Sequence, residues 1–138
     1  MNLITDRTES DSLLGNEKGT YSYADLNRVE LAVSQIAEQI TTLGFALSLQ
    51  TKTDWSLPEN FSVKTWPTES QMIRYLQNIA DIKKLFIIPT QIPETMEKLD
   101  WNGANNIEKV LQIAFSRITG IKQSYRYSGE IYAGEEIL

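Results

Sequence analysis

A single apolar stripe constrains the fold of this chain more than any other feature of its sequence. Within YSYADLNRVELAVSQIAEQITTLG, apolar residues recur at spacings of three and four: Leu26, Val29, Val33, Ile36, Ile40 and Leu43. Those spacings place the side chains on one face of an α-helix. Ser22 and Asp25 form a capping-box pattern ahead of the stripe, and Gly44 offers a left-handed stop. The stripe is too short for a secure coiled-coil seam, so the sequence predicts a helix over 22–43 that packs against other helices of the same chain.

Further helices are predicted from the same period. Thr68 and Gln71 form a second capping box ahead of 69–86, where apolar residues again recur at helical spacing. A short helix is expected to begin at Pro93 and run through Leu99, because proline suits the first helical turn. A third long helix is predicted over 101–119, with Gly120 as its stop.

The stretch LDWNGANNIEKVL (99–111) crowds oxygen-bearing side chains around a glycine and raises the question of a metal loop. A calcium loop counted from Asp100 needs an oxygen ligand at its fifth position and a glutamate at its twelfth, but these positions are Ala104 and Leu111. The Asp100 carboxylate can instead accept amide N–H groups of the first helical turn. The sequence therefore predicts a helix cap here and no metal site.

If Asp100 caps the helix, the positions of the neighbouring side chains can be predicted as well. Asn102 and Asn105 are expected on the solvent side of the helix. Gly103 is expected to admit a close neighbour, either Trp55 or the N-terminal segment.

In two segments, apolar and polar residues alternate with the period of a β-strand. FALSLQT (45–51) places apolar residues at every second position, as a half-buried strand does. In the tail, 121–138, Tyr125 and Tyr127 would share one face of a strand. The residues from 52 to 67 are predicted to form a long ordered loop that Trp55 and Trp66 attach to the core.

The predicted fold class is therefore mainly α. It is a three-helix up-down bundle with a short extra helix and a small β element made of 45–51 and the C-terminal tail. The predicted organisation is an irregular N-terminal arm (1–19), a helical bundle domain (20–120) and an extended C-terminal tail (121–138). The arm is expected to attach through the apolar pairs at 3–4 and 13–14, with a disordered terminus as the open alternative.

Composition excludes several kinds of chemistry. The chain has no histidine and no cysteine, so it lacks the commonest general base at neutral pH, thiolate zinc sites and cysteine nucleophiles. No glycine-rich phosphate loop is present, and the acidic residues near the first helix, Asp25 and Glu30, are five apart and point to different faces. We therefore predict that the protein is not an enzyme, with no catalytic residues and no cofactor.

Charge and hydropathy set expectations for partners. The 13 basic residues are scattered against 18 acidic ones, so nucleic-acid binding is not expected. No apolar run is long enough to span a membrane, and MNLITDRTESD is not a secretory signal. Other protein subunits, including copies of this chain, are the expected partners. Tyr125, Tyr127 and Tyr132 are candidate interface residues, because amphipathic rings are enriched at interfaces; alternatively they cover one end of the bundle.

Several stretches resemble a family of uncharacterised proteins of phages and prophages of Gram-positive bacteria. They are NEKGTYSYADLNRVELAVSQIAEQI, TDW, MIRYLQNI, IPETMEKLDWNGANNIEKVL and YSGEIYAGEE. The resemblance as a whole spans roughly residues 15–138. The resemblance implies a structural or assembly module associated with a phage tail or baseplate, located in the virion or in the host cytoplasm during assembly. It implies no site residues. The alternative is a stand-alone bacterial adaptor that binds a protein or peptide in a groove between helices.

Overall fold

The chain folds into helices joined by extended segments. The computed structural model describes residues 3–16, 18–56 and 67–137, and the side chains of the last helix as far as Ser124. The elements are α1 (Glu9–Leu14), α2 (Tyr23–Thr42), α3 (Glu69–Phe86), a 3₁₀ turn (Met96–Lys98) and α4 (Trp101–Ile137). The described part is therefore mainly α, as the sequence predicts.

The long helices begin where their capping residues predict. Both capping boxes form, with Ser22 bonded to Asp25 and Thr68 bonded to Gln71. Asp100 caps α4, because its Oδ1 accepts the N–H of Gly103 at 2.6 Å. At the other end of α2, Gly44 takes the left-handed conformation with φ of 92°, which ends the helix.

The predicted stop of the last helix is wrong, and so is the extended tail. α4 continues through Gly120 to Ile137. A glycine inside a helix costs only about 1 kcal/mol relative to alanine, so neighbouring helical turns can override it. Tyr125 and Tyr127 therefore lie in a helix and not in a strand.

The predicted β element is also wrong. Within the described ranges no strand forms, and 45–56 is an extended segment. Its backbone bonds go to helix side chains: Asn27 pairs with both the N–H and the carbonyl of Trp55 at 2.7 Å, and Asn78 donates to the carbonyl of Gln50 at 2.6 Å. The side-chain amides take the place that a partner strand would fill.

Helices α2 and α4 run in the same direction. Near the start of α2, Arg28 donates to Glu108 of α4 at 2.7 Å. Near its end, Gln39 accepts from Lys122 at 3.0 Å. Because residue numbers rise together along both helices, the pair is parallel.

Helix α3 follows the same direction, so the up-down order predicted from the sequence is wrong. Arg74 in the first half of α3 pairs with Glu30 in the first half of α2, and the carbonyl of Phe86 at the end of α3 accepts from Arg117 of α4. The chain returns between helices along 45–56 and 87–99. These connections exceed the few residues that join antiparallel neighbours in bundles.

The core lies where α2 and α3 pack against α4. The stripe of α2 is buried there, with Val29, Ile36 and Ile40 at 0% exposure, which confirms packing within the chain. Trp55 is also buried, as predicted, whereas Trp66 lies outside the described residues. At the start of α4, Gly103 does admit a close neighbour, but that neighbour is Pro93.

The N-terminal arm attaches through one of its two apolar pairs. Leu3 packs against the core, whereas Leu13 and Leu14 in α1 are 81% and 77% exposed. The described helices include none that is long and apolar enough to cross a membrane.

Candidate functional site

Four charged side chains meet where the N-terminal arm crosses α2 and α4. We call Arg7, Asp25, Arg28 and Glu108 the arm cluster. Arg7 donates to Glu108 at 2.7 Å and to Asp25 at 3.2 Å, and Arg28 also pairs with both carboxylates. Glu108 and Arg7 are almost fully buried, and the two positive charges match the two negative ones. Burial of such charges is tolerated because each one is paired.

Each guanidinium nitrogen of Arg7 donates within the chain. Nε bonds the carbonyl of Lys18 at 3.1 Å, and Nη1 bonds the carbonyl of Ile4 at 3.0 Å. Asn105 pairs with both backbone groups of Arg7, accepting its N–H at 3.0 Å and donating to its carbonyl at 2.9 Å. The expectation that Asn105 faces solvent is therefore wrong, whereas Asn102 is exposed.

Two tyrosine hydroxyls meet beside the arm cluster. The hydroxyl of Tyr21 is hydrogen-bonded to that of Tyr75, and Arg7 lies over the Tyr21 ring. Burial raises the pKa of each phenol above its ordinary value. For Arg28, burial alone would lower the pKa, but its hydrogen bonds to Glu108 and Asp25 outweigh that effect and raise it.

A second buried charge attaches the segment 45–56 to the helices. Glu30 is 1% exposed and accepts from both terminal nitrogens of Arg74, at 2.6 and 2.9 Å, and from Trp55 Nε1 at 2.7 Å. Arg74 also donates to the carbonyl of Gln50 at 2.7 Å. The hydrogen bonds to Glu30 raise the pKa of Arg74. As their spacing predicts, Asp25 and Glu30 point to different neighbours.

These two clusters are closed internal networks. Within the described residues, every buried side-chain nitrogen and oxygen has a hydrogen-bond partner, and no group of three acidic residues is placed to hold a metal ion. Sequence reasoning missed the clusters, although a signal exists. Glu30 and Glu108 each lie on the apolar face of their helix, where a charge needs a buried partner.

A groove runs along α3, between the helix and the segment that returns from its end. We call it the α3 groove; α3 forms one wall and the returning segment 87–97 forms the other. The part near the start of α3 has a volume of about 540 Å³. That part is lined by Met72, Ile73, Leu76, Ala80, Ile92, Pro93 and Met96, among others. A second part of the groove is also lined by Ala80 and Ile92, so it adjoins the first part. It extends the groove to Lys83, Lys84 and Ile87.

The ends of the α3 groove carry opposite charge. Glu69, Glu94 and Glu97 line the end near the start of α3, and Lys83 and Lys84 line the end near its last turn. Lys98 forms an exposed ion pair with Glu94 at 3.3 Å, which offsets part of this acidic charge. The groove is therefore apolar in its middle and polarised along its length.

Ile87 projects from the groove in a strained conformation. Its φ is 54°, in the left-handed region that β-branched residues rarely adopt. It closes α3, because its N–H donates to Lys84 at 3.3 Å and the N–H of Ile88 donates to Lys83 at 3.0 Å. Arg117 contacts the same turn from α4. The Ile87 side chain is nevertheless 84% exposed.

Of the predicted interface residues, Tyr125, Tyr127 and Tyr132 all lie in the last third of α4. Their side chains fall outside the described residues, so their role stays a prediction.

Comparison with protein-family models, with curated proteins and with solved structures finds no match to this chain.

Proposed function

We propose that this chain is a non-enzymatic protein-binding module that acts as a structural or assembly component of a phage or prophage particle, in its tail or baseplate. The observation that supports protein binding is the α3 groove with its exposed apolar rim. Ile73 is 61% exposed at one point of the rim and Ile87 is 84% exposed at another. Large apolar side chains around a concavity are typical of protein-binding surfaces.

The two charge clusters support a non-enzymatic role. A general acid or base must reach a substrate, whereas the carboxylates of Asp25, Glu30 and Glu108 are occupied by arginines. Their geometry suits attachment of the extended segments to the bundle.

The sequence resemblance supports a phage particle as the setting. In that setting the partners are other subunits, including copies of this chain, and the protein is located in the virion or in the host cytoplasm during assembly. Tyr125, Tyr127 and Tyr132 are proposed as a second contact region on α4.

A stand-alone bacterial adaptor is the second candidate, and the α3 groove favours it specifically. The groove follows α3 along its length, and a concave surface of that kind suits a peptide segment better than a flat subunit face. Its partner would then be a host protein.

Particle composition tests the two candidates. Phage particles released by the bacterium that encodes the chain are purified by density gradient and analysed by quantitative mass spectrometry. An assembly component is expected at a fixed ratio to the major tail protein across the gradient. Recovery of the chain only in the particle-free fraction would contradict the particle role and favour the adaptor.

A further inference from the structure

We propose that the α3 groove is a docking site for an amphipathic helix of a partner protein that is basic at one end and acidic at the other. The basic end lies over Glu69, Glu94 and Glu97, and the acidic end lies over Lys83 and Lys84. This inference rests on the proposed function, because it names the surface and the partner chemistry through which a protein-binding module works.

The dimensions of the groove suit a short helix. From Glu69 to Lys84, α3 extends roughly 22 Å, which matches about four turns of a partner helix. Met72, Leu76 and Ala80 are four residues apart and form a row along one wall. A partner helix with apolar residues at every third or fourth position can place its stripe along that row. Methionines on both walls adapt to its side chains.

The backbone on both sides of the groove favours a helical occupant. α3 already uses its own backbone groups in helical hydrogen bonds, and the opposite segment contains Pro89 and Pro93, which have no N–H to donate. The walls therefore offer little of the edge that an added strand requires. An occupant in an apolar groove has to satisfy its own backbone, and a helix does so.

Charge gives the occupant its polarity. The exposed carboxylates at one end and the lysines at the other favour a partner with the opposite arrangement. Such rim charges act mainly on specificity and on the association rate, and salt weakens them.

Synthetic peptides provide the test. The bipolar peptide has an apolar stripe at helical spacing with arginines at one end and glutamates at the other, and it is made in both orders. The acidic peptide has the same stripe with glutamates at both ends. Binding to the full chain is measured by fluorescence anisotropy at low salt. We expect one order of the bipolar peptide to bind about tenfold more tightly than the acidic peptide.

Variants of the chain sharpen the test. Glu94→Lys with Glu97→Lys should reverse the preference, so that the acidic peptide binds more tightly than the bipolar one. Ile73→Asp should abolish binding of the bipolar peptide. Leu14→Asp is the matched control, since Leu14 is similarly exposed but lies on α1, away from the groove, and it should leave binding unchanged.

Several outcomes would overturn the proposal. Equal binding of both peptides removes the charge argument, and binding that survives Ile73→Asp places the peptide elsewhere.

If neither peptide binds and Ile73→Asp dissociates a dimer, the groove takes a second copy of the chain. If neither binds and Ile73→Asp lowers the melting temperature far more than Leu14→Asp, the same chain fills the groove. Each result can coexist with recovery of the chain in particles, so failure here is separable from failure of the proposed function.

Discussion

Glu108 joins three parts of the chain through one carboxylate. Its oxygens accept from the backbone N–H of Ile4 at 3.0 Å, from Arg7 in the arm and from Arg28 on α2. The Glu108 carboxylate stabilises the fold only while all of these hydrogen-bond partners are present. Removing one member leaves buried charges without compensation.

Replacing Glu108 by alanine is therefore expected to lower the free energy of unfolding by about 3–5 kcal/mol, because the buried Arg7 and the partly buried Arg28 lose their shared partner. Urea denaturation at neutral pH measures the change. The matched control is Glu97→Ala, which removes an exposed carboxylate and should leave the unfolding free energy nearly unchanged. Similar effects of the two substitutions would contradict the arm cluster.

The tyrosine pair makes the stability depend on alkaline pH. Burial raises the pKa of both Tyr21 and Tyr75, so in the folded state they stay neutral at pH values where unfolded tyrosines ionise. The unfolded pKa is about 10, so this contribution to stability is fully present below about pH 10 and is lost as the pH rises further.

Tyr75→Phe tests that dependence. Above about pH 10, the unfolding free energy of the variant should fall less steeply than that of the parent chain, by up to about 1.4 kcal/mol per pH unit, because one group fewer ionises on unfolding. Urea titrations at several alkaline pH values give both slopes. Parallel slopes would show that Tyr75 ionises equally in both states.

At the scale of elements, the end of α3 combines a strained backbone with an exposed side chain. A non-glycine residue in the left-handed region costs roughly 1–3 kcal/mol, and Ile87 recovers little by burial. Glycine adopts that conformation without a clash at Cβ.

Ile87→Gly is therefore expected to raise the free energy of unfolding by about 0.5–1 kcal/mol, after allowance for the greater entropy of glycine in the unfolded chain. Thermal and urea unfolding measure it. Ile73→Gly is the matched control, because Ile73 is also exposed but lies inside a right-handed helix, and there glycine should destabilise. A loss of stability at position 87 would mean that the turn is not strained.

Local signals predicted the elements well, and non-local contacts explain what they missed. The caps at Ser22, Thr68 and Asp100 and the stripe of α2 depend on residues a few positions apart, so the helix starts could be read from the sequence. Gly120 is also a local signal, but the helical turns on either side of it override the stop. The alternation in 45–51 correctly indicates an extended chain, yet its hydrogen-bond partners come from side chains far away in sequence.

The candidate sites were harder to predict for the same reason. Glu30 pairs with an arginine on α3, and Glu108 pairs with one in the N-terminal arm and one on α2. No spacing rule connects these partners. The α3 groove depends on the path of 87–97 back along α3, which the up-down expectation placed wrongly. The one sequence signal for the two charge clusters is a glutamate on the apolar face of a helix.

At the scale of the whole molecule, α4 continues past the last of its side chains known to enter the core. Among the residues whose side chains are described, Ile118 is the last on α4 to be buried, and the helix continues to Ile137. The buried side chains described on α4 thus lie within its first half, and they are the basis for a prediction about the rest of the helix.

A chain ending at residue 124 is therefore expected to stay folded, with a cooperative melt within a few degrees of the parent. Circular dichroism measures the melt, and light scattering compares the association states. If the tail works as an assembly arm, the truncated chain loses only its self-association or its partner binding. Unfolding of the truncated chain would instead show that the tail completes the bundle.

The shared direction of α2, α3 and α4 also affects how the chain reaches its native state. Consecutive antiparallel helices form a hairpin whose contacts lie close in sequence, so it can fold early and alone. Here each pair of helices meets only after a long connection has returned along the bundle, and every such closure costs chain entropy before any contact offsets it. We therefore expect slower folding than in an up-down bundle of the same size, and no stable fragment made of two successive helices.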